Sequence, residues 1–154
     1  MAIIEVHEDI FDSPAQTLVN PVNLVGVMGK GLAAQFKEKV PGLYSRYRFF
    51  CRKGQFGIHQ LWRYRWPDTD KQVICLPTKS HWSKPSRPEW IEANLKRLVE
   101  LSEHFGITSL ALPPLGCGEG GLDYATVVRP LIFEILKDVP YDVRIVFGPK
   151  KESA

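Results

Sequence analysis

Residues 17–40 read TLVNPVNLVGVMGKGLAAQFKEKV, and this stretch decides the fold. It opens on a short apolar run, Thr17–Asn20, expected to be a strand ended by Pro21. Glycines follow at Gly26, Gly29 and Gly31, and then a helical stretch, Leu32–Val40, which Pro41 stops. A glycine turn between a strand and a helix lies at the carboxyl edge of an α/β sheet, where ligands bind. There, glycines let backbone N–H groups approach phosphate oxygens, and the helix N-terminus favours negative charge. The order recurs later: residues 107–113 (ITSLALP) form a continuous apolar run, and residues 114–121 (PLGCGEGG) follow it. One such loop is equally a tight turn or a helix cap. Two at comparable strand ends suggest a diphosphate held between them.

The rest of the chain fits around this pair. Ile3–Val6 is a short apolar strand, and Leu43–Arg52 reads as a helix with Gly54 as its stop. His59–Trp66 alternates, with Gln60, Trp62, Tyr64 and Trp66 on one face, and reads as a strand. Residues 67–70 (PDTD) make a turn into the buried strand Gln72–Pro77, and a loop, Thr78–Arg87, follows. Ser86-Arg-Pro-Glu89 has the form of a capping box, with the helix running to about Phe105 and ending at Gly106. Asp123 can cap the next helix, and Pro130 in its body predicts a bend. Asp142–Phe147 is the last strand, and the tail from Gly148 reads as a frayed end or the point where a longer chain was cut. About six short, continuously apolar strands with helices between them give an α/β sheet covered on both faces.

Composition narrows the function classes. A chain of 154 residues is one domain's worth, long enough to bury its core without a disulfide or metal staple. Apolar residues at 44% and charged residues at 24% are ordinary globular usage, which argues against disorder. No apolar run reaches the ~18 residues of a membrane span, and Met1–Ser13 lacks the pattern of a secretory signal. Cys51, Cys75 and Cys117 read as reduced thiols of a cytoplasmic protein and form no zinc set, so neither a metal nor a cofactor is expected.

The net charge of +3 is unevenly spread. Residues 41–90 hold ten Lys/Arg against three Asp/Glu, a local +7, and ten of the seventeen aromatics, including all four tryptophans. Cations interleaved with flat rings suit a single-stranded nucleic acid; by composition alone they are also an ordinary basic surface beside core aromatics.

Two common phosphate sites are not supported. Gly29-Lys-Gly31-Leu-Ala-Ala34 superficially fits GxGxxA, yet no acidic residue lies between Lys39 and Pro67 to hold a ribose. The Walker pattern fails because Lys30 is followed by Gly31 rather than Ser or Thr. Four segments together, Asp9-Ile10, Leu18-Val-Asn-Pro-Val-Asn23, Gly26-Val-Met-Gly-Lys-Gly31 and Pro113-Pro-Leu-Gly-Cys-Gly-Glu-Gly-Gly121, resemble the macrodomain family, the ADP-ribose-binding fold. The likeness covers nearly the whole chain in motif order. With residues 77–82 (PTKSHW), it is similar to the branch of lysine-dependent ADP-ribosyl hydrolases that includes antitoxins removing ADP-ribose from thymidine in DNA.

The resemblance implies a single macrodomain over residues 1–154, on its own or as the N-terminal part of a longer chain, with a mixed six-stranded sheet between helices and its cleft at the carboxyl edge. It implies ADP-ribose contacts from Asp9, Ile10, Asn23, Gly29, Lys30, Gly31, Leu32, Thr78, Leu115, Gly116, Cys117, Gly118, Glu119, Gly120, Gly121 and Phe147. In it Asp9 accepts the adenine amino hydrogen, Asn23 bonds the distal ribose, Asn20 ties the loop backbone together and Phe147 walls the distal ribose. Lys79, with Asn23, is the catalytic candidate: it either neutralises charge or, as a free amine, attacks C1″ of the distal ribose. His81, Trp82, Lys84 and Arg87 shape the DNA side, His81 as a proton carrier. Cys117 reads as a small residue permitting close approach rather than a nucleophile. One departure stands out: some lysine hydrolases of this branch carry an aspartate where this chain has Gly120, leaving Glu119, Asp123, or a water with Asn23 to take its part. The expected partners are ADP-ribose, ADP-ribosylated single-stranded DNA and a cognate ADP-ribosyltransferase toxin, with the chain a monomer. The alternatives are a hydrolase of ADP-ribosyl carboxylate esters on proteins and a non-catalytic ADP-ribose-binding module.

Overall fold

The computed structural model describes residues 2–150. Strands β1 (Ile3–Val6), β2 (Thr17–Val22), β3 (Trp62–Arg65), β4 (Gln72–Pro77), β5 (Ser109–Leu112) and β6 (Asp142–Val146) form one sheet ordered β1-β6-β5-β2-β4-β3. Every neighbouring pair is parallel except β3 against β4, so the sheet is mixed and six-stranded, as expected. Helices α1 (Gly31–Lys39), α2 (Leu43–Arg52), α3 (Pro88–Leu101) and α4 (Arg129–Leu136) supply the covering layers.

Alternation along the strands sorts side chains between two cores. Val19, Ile74, Leu76, Leu110, Leu112, Val143 and Ile145 pack with Ile91, Leu95 and Leu98 of α3 and Ile132 and Leu136 of α4. Leu18, Val22, Val73, Cys75, Ala111 and Val146 face the other way, against Phe36 of α1 and Leu43 and Tyr47 of α2. Each fully buried Leu or Ile among them contributes about 1.5–3 kcal/mol.

Several boundaries differ from expectation, each for a local reason. Pro21 does not end β2; the strand continues to Val22, with Pro21 opposite Leu76. Thr78 N–H donates to Val22 C=O at 3.0 Å, so Val22 faces β4 and the Pro21 nitrogen points to the β5 side. On that side β2 pairs only at Thr17↔Leu110 and Leu18↔Ala111, so the missing donor interrupts no ladder. Strand β3 starts at Trp62 rather than His59, because Gln60 N–H closes a turn on Gly57 C=O at 3.0 Å.

Arg87 rather than Ser86 caps α3, and the hydroxyl of Ser86 is buried without a hydrogen-bond partner. The helix stops at Leu101, where Ser102 turns its hydroxyl back onto Leu98 C=O at 2.9 Å. Asp123 is a cap, as expected, but of a π-helical turn, Tyr124–Val128. Helix α4 begins only at Arg129, directly after that turn: Arg129 N–H still bonds Tyr124 C=O and Val128 keeps helical φ and ψ, so Pro130 lies inside one continuous helical path, and the π turn is where the chain takes up its missing N–H. No helix among the described residues is long and apolar enough to cross a membrane. Of the tail, residues 151–154 lie outside the described part.

Candidate functional site

Five parallel strands deliver their following loops to one edge. Because β2 sits between β5 and β4, the glycine loop after β2 lies between the glycine loop after β5 and the Thr78–Arg87 loop after β4. The segment carrying Asp9 follows β1, at the far end of the row.

The first glycine loop is organised by Asn23, which is buried. Its amide Nδ2 donates to Val27 C=O at 2.8 Å, and its Oδ1 accepts from Val25 N–H, Val27 N–H and the Tyr47 hydroxyl at 3.1, 3.4 and 2.8 Å. The Tyr47 hydroxyl also reaches Asn23 C=O at 2.6 Å. Burial pushes that phenol far above its ordinary pKa, so it remains a donor. Asn23, not Asn20, therefore ties the loop. Asn20 points into the core, where its Nδ2 lies 3.8 Å from Cys75 Sγ and its Oδ1 has no partner. Gly26 and Gly31 adopt φ of +83° and +60°. Lys30 is the N-cap of α1 and offers no side-chain cap. The first-turn N–H groups of Gly31 and Leu32 are thus open to an anion.

The second loop is two successive turns, Cys117 N–H to Pro114 C=O at 3.1 Å and Gly121 N–H to Gly118 C=O at 3.2 Å, the second enclosed by Leu122 N–H to Gly116 C=O at 2.9 Å. Gly118 and Glu119 are exposed, and Leu115 beneath them is fully buried. A Cβ at Gly120 would collide with Ser86 Oγ and Gly116 C=O, whereas one at Gly118 would meet nothing within 4 Å. No aspartate fits at position 120. Asp123 is already committed, accepting from Thr126 N–H at 2.9 Å and from its hydroxyl, which holds its carboxyl below the ordinary value. Burial, and secondarily Asp123, raise the Cys117 thiol to about 11, so it stays protonated and is no nucleophile at neutral pH.

The third loop is pinned at both ends: Thr78 N–H continues the β2–β4 ladder at Val22, and Ser86 N–H donates to Gly120 C=O at 3.1 Å. Between them Lys79 Nζ donates to Trp82 C=O at 3.4 Å. His81 Nδ1 accepts from Ser83 N–H at 3.1 Å, which leaves the ring proton on Nε2. The His81 and Trp82 rings lie 5.0 Å apart, and Trp82 is 56% exposed. Lys84 is exposed, and Arg87 lies over the Trp90 ring at 5.0 Å.

At the other end, Asp9 Oδ1 accepts from Phe11 N–H at 3.0 Å, capping a short 3-10 turn, Ile10–Asp12, while its second oxygen has no protein donor among the described residues. Ile10 is buried beside it. Phe147 packs on His7 and edge-on to Tyr124, with ring centroids 5.6 and 4.9 Å apart. It stands after β6, next to β1, with β5 and β2 separating it from the strand that carries Lys79. Phe147 therefore belongs to the Asp9 end and cannot wall a ribose at Lys79, contrary to expectation.

A family model described as Macro domain matches residues 19–131. The chain belongs to the macrodomain family. It is 40% identical over 135 residues to a DNA ADP-ribosyl glycohydrolase of Mycobacterium tuberculosis, an alignment covering 85% of this chain and 38% of that protein. The chain thus spans well under half of that relative's length. Among solved structures it is similar to the macrodomain of Mycobacterium tuberculosis DarG, with a TM-score of 0.89 and 34% identity over 97% of this chain and 99% of that one. It is also similar to Thermosipho africanus DarTG in complex with ADP-ribose, with a TM-score of 0.88 and 33% identity over 99% of this chain and 43% of that one.

Within this macrodomain the residues singled out in the sequence converge on one edge, with Asp9 and Phe147 at one end, the two glycine loops in the middle and Lys79 at the other. Two groups that organise the edge escaped the sequence reading. Tyr47 shares the buried face of α2 with Leu43, four residues away, and that spacing gives only a core position. Ser86 resembled a helix cap and is instead the contact that fixes Gly120.

Proposed function

We propose that this macrodomain is an ADP-ribosyl glycohydrolase that releases ADP-ribose from thymidine in single-stranded DNA, as the antitoxin to a DNA ADP-ribosyltransferase. The observation that carries the reading is the Thr78–Arg87 loop, which is hydrogen-bonded to the end of β2 and to the second glycine loop and presents Lys79 beside an exposed Trp82. The activity for which the Mycobacterium tuberculosis relative is named agrees with it. Asp9 selects adenine through its free oxygen, and Phe147 packs at that end. The open N–H groups of the glycine loops hold the diphosphate, and the remaining Nδ2 hydrogen of Asn23 meets the distal ribose.

The Lys79 amine adds to C1″ as the bond from C1″ to the base nitrogen breaks. The base leaves with that electron pair and takes, through water, a proton from the lysine nitrogen that has just bonded C1″. Water then displaces the lysine, restoring its amine and giving ADP-ribose a free anomeric hydroxyl.

Lys79→Ala should abolish turnover of ADP-ribosylated oligonucleotide while calorimetric ADP-ribose affinity stays within a few fold, the signature of a group acting on the transition state. Equal losses of rate and affinity would make Lys79 a binding clamp. Faster cleavage of an ADP-ribosylated protein than of the modified oligonucleotide, compared side by side, would move the substrate from DNA to protein.

A further inference from the structure

The cation-rich stretch does not all reach the cleft. Between Val40 and Trp66 the sequence has six Lys/Arg and no Asp or Glu. The fold lays this segment along α2 and the edge strand β3, at the outer end of the sheet. There, Arg46, Phe50, Trp62, Arg63, Tyr64 and Arg65 line a groove of about 340 Å³. Its aromatic floor is a chain of rings, with Phe50 against Trp62 at 5.3 Å and Trp62 against Tyr64 at 5.6 Å. Among the described residues none of its three arginines takes part in an ion pair. The groove runs down β3 from Trp62, opposite Cys75, to Arg65, opposite Gln72 at the start of β4. It therefore leads away from the carboxyl edge that carries Lys79.

We propose that this groove is a second, separate binding site for single-stranded nucleic acid. It deepens the DNA-directed reading above, because it would hold the strand at a distance from the modified base. Arg46 stands on the ring side of β3, and Arg63 and Arg65, which alternate to its opposite side, flank the same edge strand; with no carboxylate among them, the three match a phosphodiester backbone that follows this edge. A floor of partly exposed rings gives bases a sequence-tolerant stacking surface. An acidic protein segment would satisfy the charges but make no use of the ring floor.

The test uses an unmodified oligothymidylate of about 15 nucleotides, long enough for a groove of this kind. Fluorescence anisotropy should show binding by the parent that weakens steeply with added salt. Arg46→Gln/Arg63→Gln/Arg65→Gln should weaken it about tenfold or more and lower the salt slope by roughly two, at about 0.7 per lost phosphate contact. ADP-ribose affinity by calorimetry should stay within twofold in the same variant. No oligonucleotide binding by the parent at low salt, or unchanged affinity and slope in the variant, overturns the proposal while leaving the ADP-ribose cleft intact. Equal competition by an oligoglutamate peptide would reassign the groove to an acidic protein. Should the variant not fold, photo-crosslinking of bromodeoxyuridine oligonucleotide to the parent decides: adducts at Phe50, Trp62 or Tyr64 support the groove, and adducts only at Trp82 refute it.

Discussion

Asn23 gives its side-chain amide to three hydrogen bonds inside one loop and a fourth to Tyr47 on α2, so its loss should act differently from the loss of Lys79. Asn23→Ala leaves the Val25 and Val27 N–H groups short of an acceptor, and the Tyr47 hydroxyl with the backbone C=O of residue 23 alone, at a cost of about 1–3 kcal/mol. The melting temperature should fall by several degrees and ADP-ribose binding with it, whereas Lys79→Ala should melt like the parent. The two loop glycines make a similar contrast. Gly118→Val points into open space, so it should keep the parent's stability and block the phosphate. Gly120→Ala forces the second loop off Ser86 and Gly116, so it should lose roughly 1–3 kcal/mol as well as binding. Thermal melts paired with calorimetry on each variant check both. That Asn23 rather than Asn20 ties the loop has a plain cause. Residues three apart on a strand point to opposite faces, and nothing in the letters says which face meets the loop. The cramped space at Gly120 was equally invisible, since it is set by Ser86 from a loop over thirty residues earlier.

At the scale of elements, the strands and the first two helices were legible because apolar runs and glycine or proline stops mark them directly. The misplaced boundaries of β3 and α3 involve polar residues whose hydrogen bonds are chosen by tertiary neighbours, as with Ser86, Gln60 and Ser102. The cost of a proline depends on whether its missing N–H would have had a partner. At Pro21 it would not, because β2 is unpaired on that side beyond Leu18. At Pro130 it would, and the helix gives way to it in the π turn just before.

Across the whole molecule, the sequence located the excess of positive charge but not its division. Secondary structure sends one part, Lys79, Lys84 and Arg87, to the cleft rim and the other, on α2 and β3, to the far edge of the sheet. That separation depends on β3 reversing direction against β4, a pairing no local pattern reveals. Sheet order also moved Phe147, since neighbours in space are set by the crossovers and not by distance along the chain.

The sheet itself is unevenly laced: β2 and β4 are joined along six residues, β2 and β5 along two. Beyond Leu18 and Ala111 the fabric parts, and both glycine loops hang from the two sides of that slit. A diphosphate gripped by both loops would act as the stitch the backbone omits, so occupancy and cohesion of the fold become one quantity. Saturating ADP-ribose at a hundred times its dissociation constant should stabilise the chain by about 2.7 kcal/mol, which raises the melting point by roughly 5–10 °C. Its imprint in hydrogen exchange should be sharpest at Val19, the amide that faces the slit from β2, rather than spread evenly over the core.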